Sequence, residues 1–214
     1  METARGLFIT LEGGEGSGKS SQVKTIVSAL EQKGLSVLTT REPGGSAGGE
    51  EIRQLLVRGE PGRWDHKTEY LLMSAARCDN VARLVEPTLA AGVSVVCDRF
   101  FDSSLAYQGY GHGLSLNELK AIYGFLAGDL SPDLTLLFDV PVDIGLARAK
   151  ARAGDEARFE SLDISFHERV RQGYLDLARR EPDRFRILDA SQSLSSVTTA
   201  VEAVLVDFLA HREG

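Results

Sequence analysis

Leu7-Phe8-Ile9-Thr10-Leu11-Glu12-Gly13-Gly14-Glu15-Gly16-Ser17-Gly18-Lys19-Ser20 constrains this chain more than any other stretch. A short apolar run breaks into G-x-x-x-x-G-K-S and then into an amphipathic helix. Glycines at 13, 14, 16 and 18 let the backbone fold its N–H groups into a concave anion nest. Lys19 adds a point charge for outer phosphates, and Ser20 offers a hydroxyl to a magnesium ion. Val23, Ile26, Val27 and Leu30 share one face of the following helix, and Gly34 stands where a C-terminal cap belongs. The dipole at that helix's N-terminus then points at the bound anion. A flexible glycine-rich turn is the rival reading of the eight-residue pattern. The strand before it and the helix after it favour a nucleoside triphosphate site.

Strand and helix patterns alternate throughout, which predicts a parallel sheet covered on both faces. Candidate strands are Leu7–Leu11, Leu35–Thr40, Val93–Cys97, Leu134–Val140 and Phe185–Leu188. Candidate helices are Ser20–Lys33, Gly49–Val57, Thr68–Ala91, Leu116–Leu126, Ile144–Ala153, Ser165–Arg179 and Ser195–Leu209. With 214 residues and no visible linker or repeat, one domain over residues 1–214 is expected. The fold class expected is α/β, a P-loop NTPase-type three-layer fold with a five-stranded parallel sheet and a short basic lid at about 148–160. The net charge of −7 argues against broad nucleic-acid binding, so phosphate chemistry must come from local arginines. No apolar window suits a membrane span or a secretion signal, which predicts a cytoplasmic protein. Cys78 and Cys97 are expected as free, buried thiols of a reducing compartment.

In such sheets ligands bind beyond the strands' carboxyl ends, and the charged clusters fall there. Thr40-Arg41-Glu42-Pro43-Gly44-Gly45-Ser46 follows the second strand, with Glu51 and Arg53 beyond it. Arg41 and Arg53 can clasp phosphate, while Glu42 orients an arginine or a hydrated metal. The same segment also reads as a polar surface turn. After the third strand, Asp98 stands where a P-loop protein places a carboxylate near magnesium, and Arg99 follows at once. Ser103-Ser104-Leu105-Ala106-Tyr107-Gln108-Gly109-Tyr110-Gly111 either lines a pocket for a flat base or forms a plain glycine-rich loop. Met73 and Arg77, four apart, share a helix face and can meet a base by its face and its edge; core filler and a surface charge are the ordinary alternative. Arg148, Lys150, Arg152 and Arg158 make either a basic flap closing over phosphates or a solvated helix end.

Taken in this order, the segments resemble the thymidylate kinase family of bacterial type, over nearly the whole chain. The carriers are Glu12 to Ser20, Arg41-Glu42-Pro43-Gly44-Gly45, and Asp98-Arg99-Phe100 followed by Ser103, Ser104 and Ala106-Tyr107-Gln108-Gly109. The resemblance implies transfer of the γ-phosphoryl of ATP to dTMP with Mg2+, in a homodimer. It implies ATP phosphates on Gly13, Gly14, Glu15, Gly16, Ser17, Gly18, Lys19 and Ser20, and Mg2+ near Ser20 and Asp98, partly through water. On the acceptor side it implies Arg53 and Arg99 on the dTMP phosphate, with Glu42 and Glu15 nearby. Arg77, Ser104 and Gln108 would meet the thymine, and Tyr107 would pack on the deoxyribose where a 2′-hydroxyl would clash. The catalytic set it implies is Lys19, Arg99, Glu15 and a lid arginine, Arg158 or Arg152. Asp189-Ala190-Ser191 resembles the segment bordering adenine. One departure is Met73, where the family usually stacks thymine on phenylalanine; a thioether lacks the π face. The alternative is a P-loop kinase for another nucleoside or nucleoside monophosphate, and a nucleotide sensor without transfer activity is a further rival.

Overall fold

In the computed structural model, residues 5–60, 62–152 and 158–211 are described. Five parallel strands, β1 (Phe8–Glu12), β2 (Val37–Arg41), β3 (Ser94–Asp98), β4 (Leu134–Asp139) and β5 (Phe185–Asp189), form one sheet in the order β2-β3-β1-β4-β5. The order reverses around β1, and that is where a crevice opens at the carboxyl edge. Register brings the charged strand ends level, pairing Leu11 with Asp98, Arg41 with Asp98 and Asp139 with Asp189.

Helices cover both faces, as expected of buried parallel strands. Alternation along β1 sends Ile9 and Leu11 to the face covered by α1 (Lys19–Gln32) and α9 (Leu194–Ala210), where Ile26, Leu30, Val201 and Leu205 are buried with them. Phe8 points the other way, against Val81, Val85, Leu89 and Phe100. By the same period of two, Glu12 shares the Phe8 face. On that side lie α3 (His66–Asn80) and α8 (Ile164–Arg180), while α2 (Ala47–Val57) packs on α3.

One expected helix needs correction, and one of the two readings left open for residues 103–111 is excluded. The Thr68–Ala91 helix starts at His66, capped by the Asp65 side chain, and passes through a π-helical turn, Val81–Val85, into α4 (Glu86–Ala90). The glycine-rich stretch after Asp98 is not a loop. It is helical: α5 (Phe101–Ser104) runs straight into a π-helical segment, Leu105–Gly111. Its glycines serve packing. A Cβ on Gly111 would sit 2.6 Å from the Phe166 ring, and one on Gly173 of α8 would sit 2.7 Å from Tyr110. Between them, α8 and the π segment lie too close for side chains there. After α6 (Leu116–Ala127), α7 (Val142–Arg152) leads towards the expected lid, of which residues 153–157 and the Arg152 side chain lie outside the described set.

Candidate active site

The P-loop closes on itself between β1 and α1. Gly13, Gly16 and Gly18 all have positive φ, at 144°, 64° and 84°. A side chain at Gly16 is further barred by the Gly145 carbonyl, 1.9 Å from where its Cβ would stand, so the loop packs directly on α7. Lys19 is buried and its Nζ donates to the Gly13 and Gly14 carbonyls and to Ser17 Oγ, at 3.0, 3.1 and 3.1 Å. Burial, with Arg99 nearby, brings its ammonium down to about 8, against the pull of Asp98 and Glu15. Ser20 Oγ donates to Asp98 Oδ2 at 2.8 Å, so the two oxygens expected to meet a metal are neighbours. Hydroxyl and carboxylate oxygens suit the hard Mg2+ ion. Among the described residues, no group of three or more His, Cys, Asp or Glu side chains is arranged to hold a metal ion by itself.

Facing the cradle is Arg99. It holds φ +68°, a left-handed backbone costing about 1–2 kcal/mol for a residue with a Cβ. Its guanidinium donates to the Gly13 carbonyl (3.0 Å), Ser103 Oγ (3.2 Å), Tyr174 OH (3.1 Å), Glu15 Oε1 (3.1 Å) and Tyr107 OH (3.1 Å). These bonds offset the strain and aim the cation at the P-loop's mouth. Tyr107 OH also donates to Glu15 at 2.7 Å. Burial would raise the Glu15 carboxyl, but Arg99 and Lys19 together bring it below its ordinary range. Glu15, Lys19, Arg99 and Tyr107 thus form one charged cluster.

Beside it lies a second cluster. Arg77 is 4% exposed, so it is no surface charge. Its Nε donates to Glu42 Oε2 at 2.6 Å, and its Nη2 donates to Ser104 Oγ and the Phe100 carbonyl at 3.0 and 3.2 Å. Asn80 Nδ2 donates to the other Glu42 oxygen at 3.3 Å. Of the two roles open to Glu42, the structure has it orienting an arginine. Met73 is partly buried one turn before Arg77. Arg53 Nη1 donates to the Pro43 carbonyl at 2.8 Å, and Arg41 pairs with Glu50 at 2.9 Å.

Two of the expected lid cations, Arg148 and Arg158, are held by different partners. Arg148 donates to the Ala190 and Ser191 carbonyls at 2.6 and 3.1 Å, tying α7 to the turn after β5. Arg158 is 8% exposed and donates to Glu69 Oε2 at 2.6 Å and to the Leu56 carbonyl at 3.0 Å. Gln108 Nε2 donates to the other Glu69 oxygen at 3.0 Å.

Three residues of the site escaped sequence reasoning. Glu12 accepts from Phe100 N, Ser103 Oγ and Tyr174 OH at 2.8, 2.6 and 3.1 Å. Burial, then Asp102, raises its carboxyl to about 7, against Ser103 and Arg99. Tyr174 lies mid-helix in α8, and no local motif marks it in the sequence. Glu69 precedes Met73 by four, so it shares the Met73–Arg77 face, and that spacing was the available signal.

A five-stranded parallel sheet switching at β1, a glycine cradle with a buried lysine, and an arginine held across its mouth define a P-loop phosphotransferase. The thymidylate kinase family model matches residues 11–201. The thymidylate kinase of Caulobacter vibrioides is 50% identical over 205 residues, 96% of this chain and 98% of its own length. Those of Pseudomonas putida strain W619 and Ruegeria pomeroyi are 48% and 46% identical, over 97% and 95% of the chain and 100% and 96% of their own lengths. The chain belongs to the thymidylate kinase family.

Proposed function

We propose that this chain transfers the γ-phosphoryl group of ATP to dTMP, giving dTDP and ADP. The observation that carries the reading is the Arg99 guanidinium, 3.0 Å from the Gly13 carbonyl of the anion cradle. ATP phosphates take the N–H groups of Gly13 to Ser20, and Lys19 Nζ exchanges its loop carbonyls for a phosphate oxygen. Ser20 and Asp98 hold Mg2+, which would draw charge from the phosphates during transfer. Arg53 and Arg99 hold the dTMP phosphate, with Glu15 and Tyr107 fixing Arg99. Arg77, set by Glu42, meets the thymine edge with Ser104 and Gln108, and Met73 covers its face. A nucleotide phosphate is already anionic at neutral pH, so alignment and charge neutralisation do most of the work.

Arg158 is committed to Glu69, which leaves Arg152 to stabilise the transferring group. It ends α7, the helix whose Gly145 packs on the P-loop. Leu71 on α3 and Phe125 on α6, 54% and 87% exposed, support a homodimer through these neighbouring helices, and a cytoplasmic location fits the substrates. No helix among the described residues is long and apolar enough to cross a membrane. ADP release with Mg2+ and ATP, compared across dTMP, dUMP, dCMP and dGMP, tests the reaction. dTMP is expected to be the best acceptor, and equal rates with dGMP would refute it.

A further inference from the structure

Glu69, with Arg158 and His112, forms a buried group that the transfer reaction does not use directly but that touches Gln108. Both Glu69 and Gln108 are 1% exposed. Glu69 receives Arg158 on one oxygen and Gln108 on the other, with His112 Nε2 3.5 Å from that second oxygen. Burial would raise this carboxyl, but hydrogen bonds from His112, Gln108 and Arg158 hold it below its ordinary range, so it is ionised. A carboxylate only accepts hydrogen bonds. The Gln108 amide must therefore turn its NH2 towards Glu69, whichever way an isolated amide would settle.

We infer that Glu69 is a positioning residue that sets base selectivity, by locking Gln108 with its carbonyl oxygen turned to the acceptor base. The inference rests on the reading above that Gln108 faces that base. Thymine and uracil carry a donor at N3, which the carbonyl accepts; cytosine carries a lone pair there, which the carbonyl opposes. Arg158, an obligate donor, completes the device by claiming the other Glu69 oxygen.

Glu69→Gln tests this with an almost isosteric change. Arg158 takes the single oxygen of the new amide, whose NH2 then faces Gln108. Gln108 must flip and present its own NH2 to the base. The kcat/KM ratio of dTMP over dCMP is expected to fall about tenfold or more, through KM rather than kcat. Glu69→Asp stays acceptor-only, so it is expected to keep the ratio within about threefold of the parent even at lower stability, and it serves if Glu69→Gln does not fold. An unchanged ratio in Glu69→Gln, or a lost one in Glu69→Asp, overturns the role of Glu69. Gln108→Leu separates the premise. If it leaves the ratio of the parent enzyme intact, Gln108 does not read the base. If the parent enzyme does not phosphorylate dTMP, the reaction itself is misassigned.

Discussion

At the scale of single residues, the site depends on how Arg99 is held. Its left-handed backbone is tolerable because groups from four elements converge on one guanidinium: the P-loop, α5, the π segment and α8. Tyr174 is the most distant in sequence, and its hydroxyl both accepts from Arg99 and donates to Glu12. Tyr174→Phe leaves the packing but removes these bonds together with the 2.8 Å contact to Ser103 Oγ. A loss of about 1–3 kcal/mol in stability and a fall of about tenfold in kcat/KM for dTMP are expected, read by thermal unfolding and steady-state kinetics. Glu12 makes a pH prediction. Its folded carboxyl is raised from the ordinary 4.5 to about 7, so the folded state binds more protons than the unfolded one in that window. Its contribution to stability is whole below 4.5 and is lost as pH rises through about 7. The unfolding free energy of Glu12→Gln is expected to lack that part of the decline. Parallel pH curves for the two proteins would contradict the shift.

At the scale of elements, the π-helical segment is the part that most needs its exact neighbours. It carries Tyr107 and Gln108, and Gly111 and Gly173 let α8 approach, while Gly109 makes room for Leu116 of α6. Gly173→Ala drives a methyl carbon to 2.7 Å from the base of the Tyr110 ring, which has little room to move. A loss of about 1–3 kcal/mol is expected, with KM for dTMP rising more than KM for ATP, since Tyr107 and Gln108 move with the segment. This element also marks the limit of what the sequence discloses. Apolar runs ending in charge marked all five strands within a few residues. Strands β1, β3 and β4 are buried along almost their whole length and write a continuous signal, while the edge strands β2 and β5 are partly exposed. The fixed spacing of the P-loop, the charges of Asp98-Arg99 at a strand end and the four-residue spacing of Met73 and Arg77 stand in the sequence, but the partners of Arg99 lie up to 86 positions away and do not. A π turn leaves no comparable period, and small residues read as a loop when their purpose is close packing. Ion pairs between distant residues left no trace either: Glu69 and Arg158 are 89 positions apart, and Arg77 and Glu42 are 35.

At the scale of the whole molecule, two halves of the site are fastened by different arginines. Arg158 ties the far side of the lid to α3 through Glu69, and Arg148 ties α7 to the turn after β5. Removing Arg158 strands a buried carboxylate, so Arg158→Ala is expected to cost about 3–5 kcal/mol of stability. Arg152→Ala is expected to leave stability and dTMP affinity nearly unchanged while kcat falls roughly 10³-fold, measured by calorimetry and steady-state kinetics. If the two variants exchange phenotypes, the lid arginines are assigned the wrong way round. Both depend on the central proposition that the glycine cradle holds the donor and Arg99 the acceptor. Calorimetric dissociation constants for dTMP and ATP with Arg99→Met test it most directly. The account predicts that dTMP weakens about 100-fold or more while ATP changes by less than about fivefold. Equal weakening of both nucleotides, or dTMP affinity matching the parent enzyme, would contradict it.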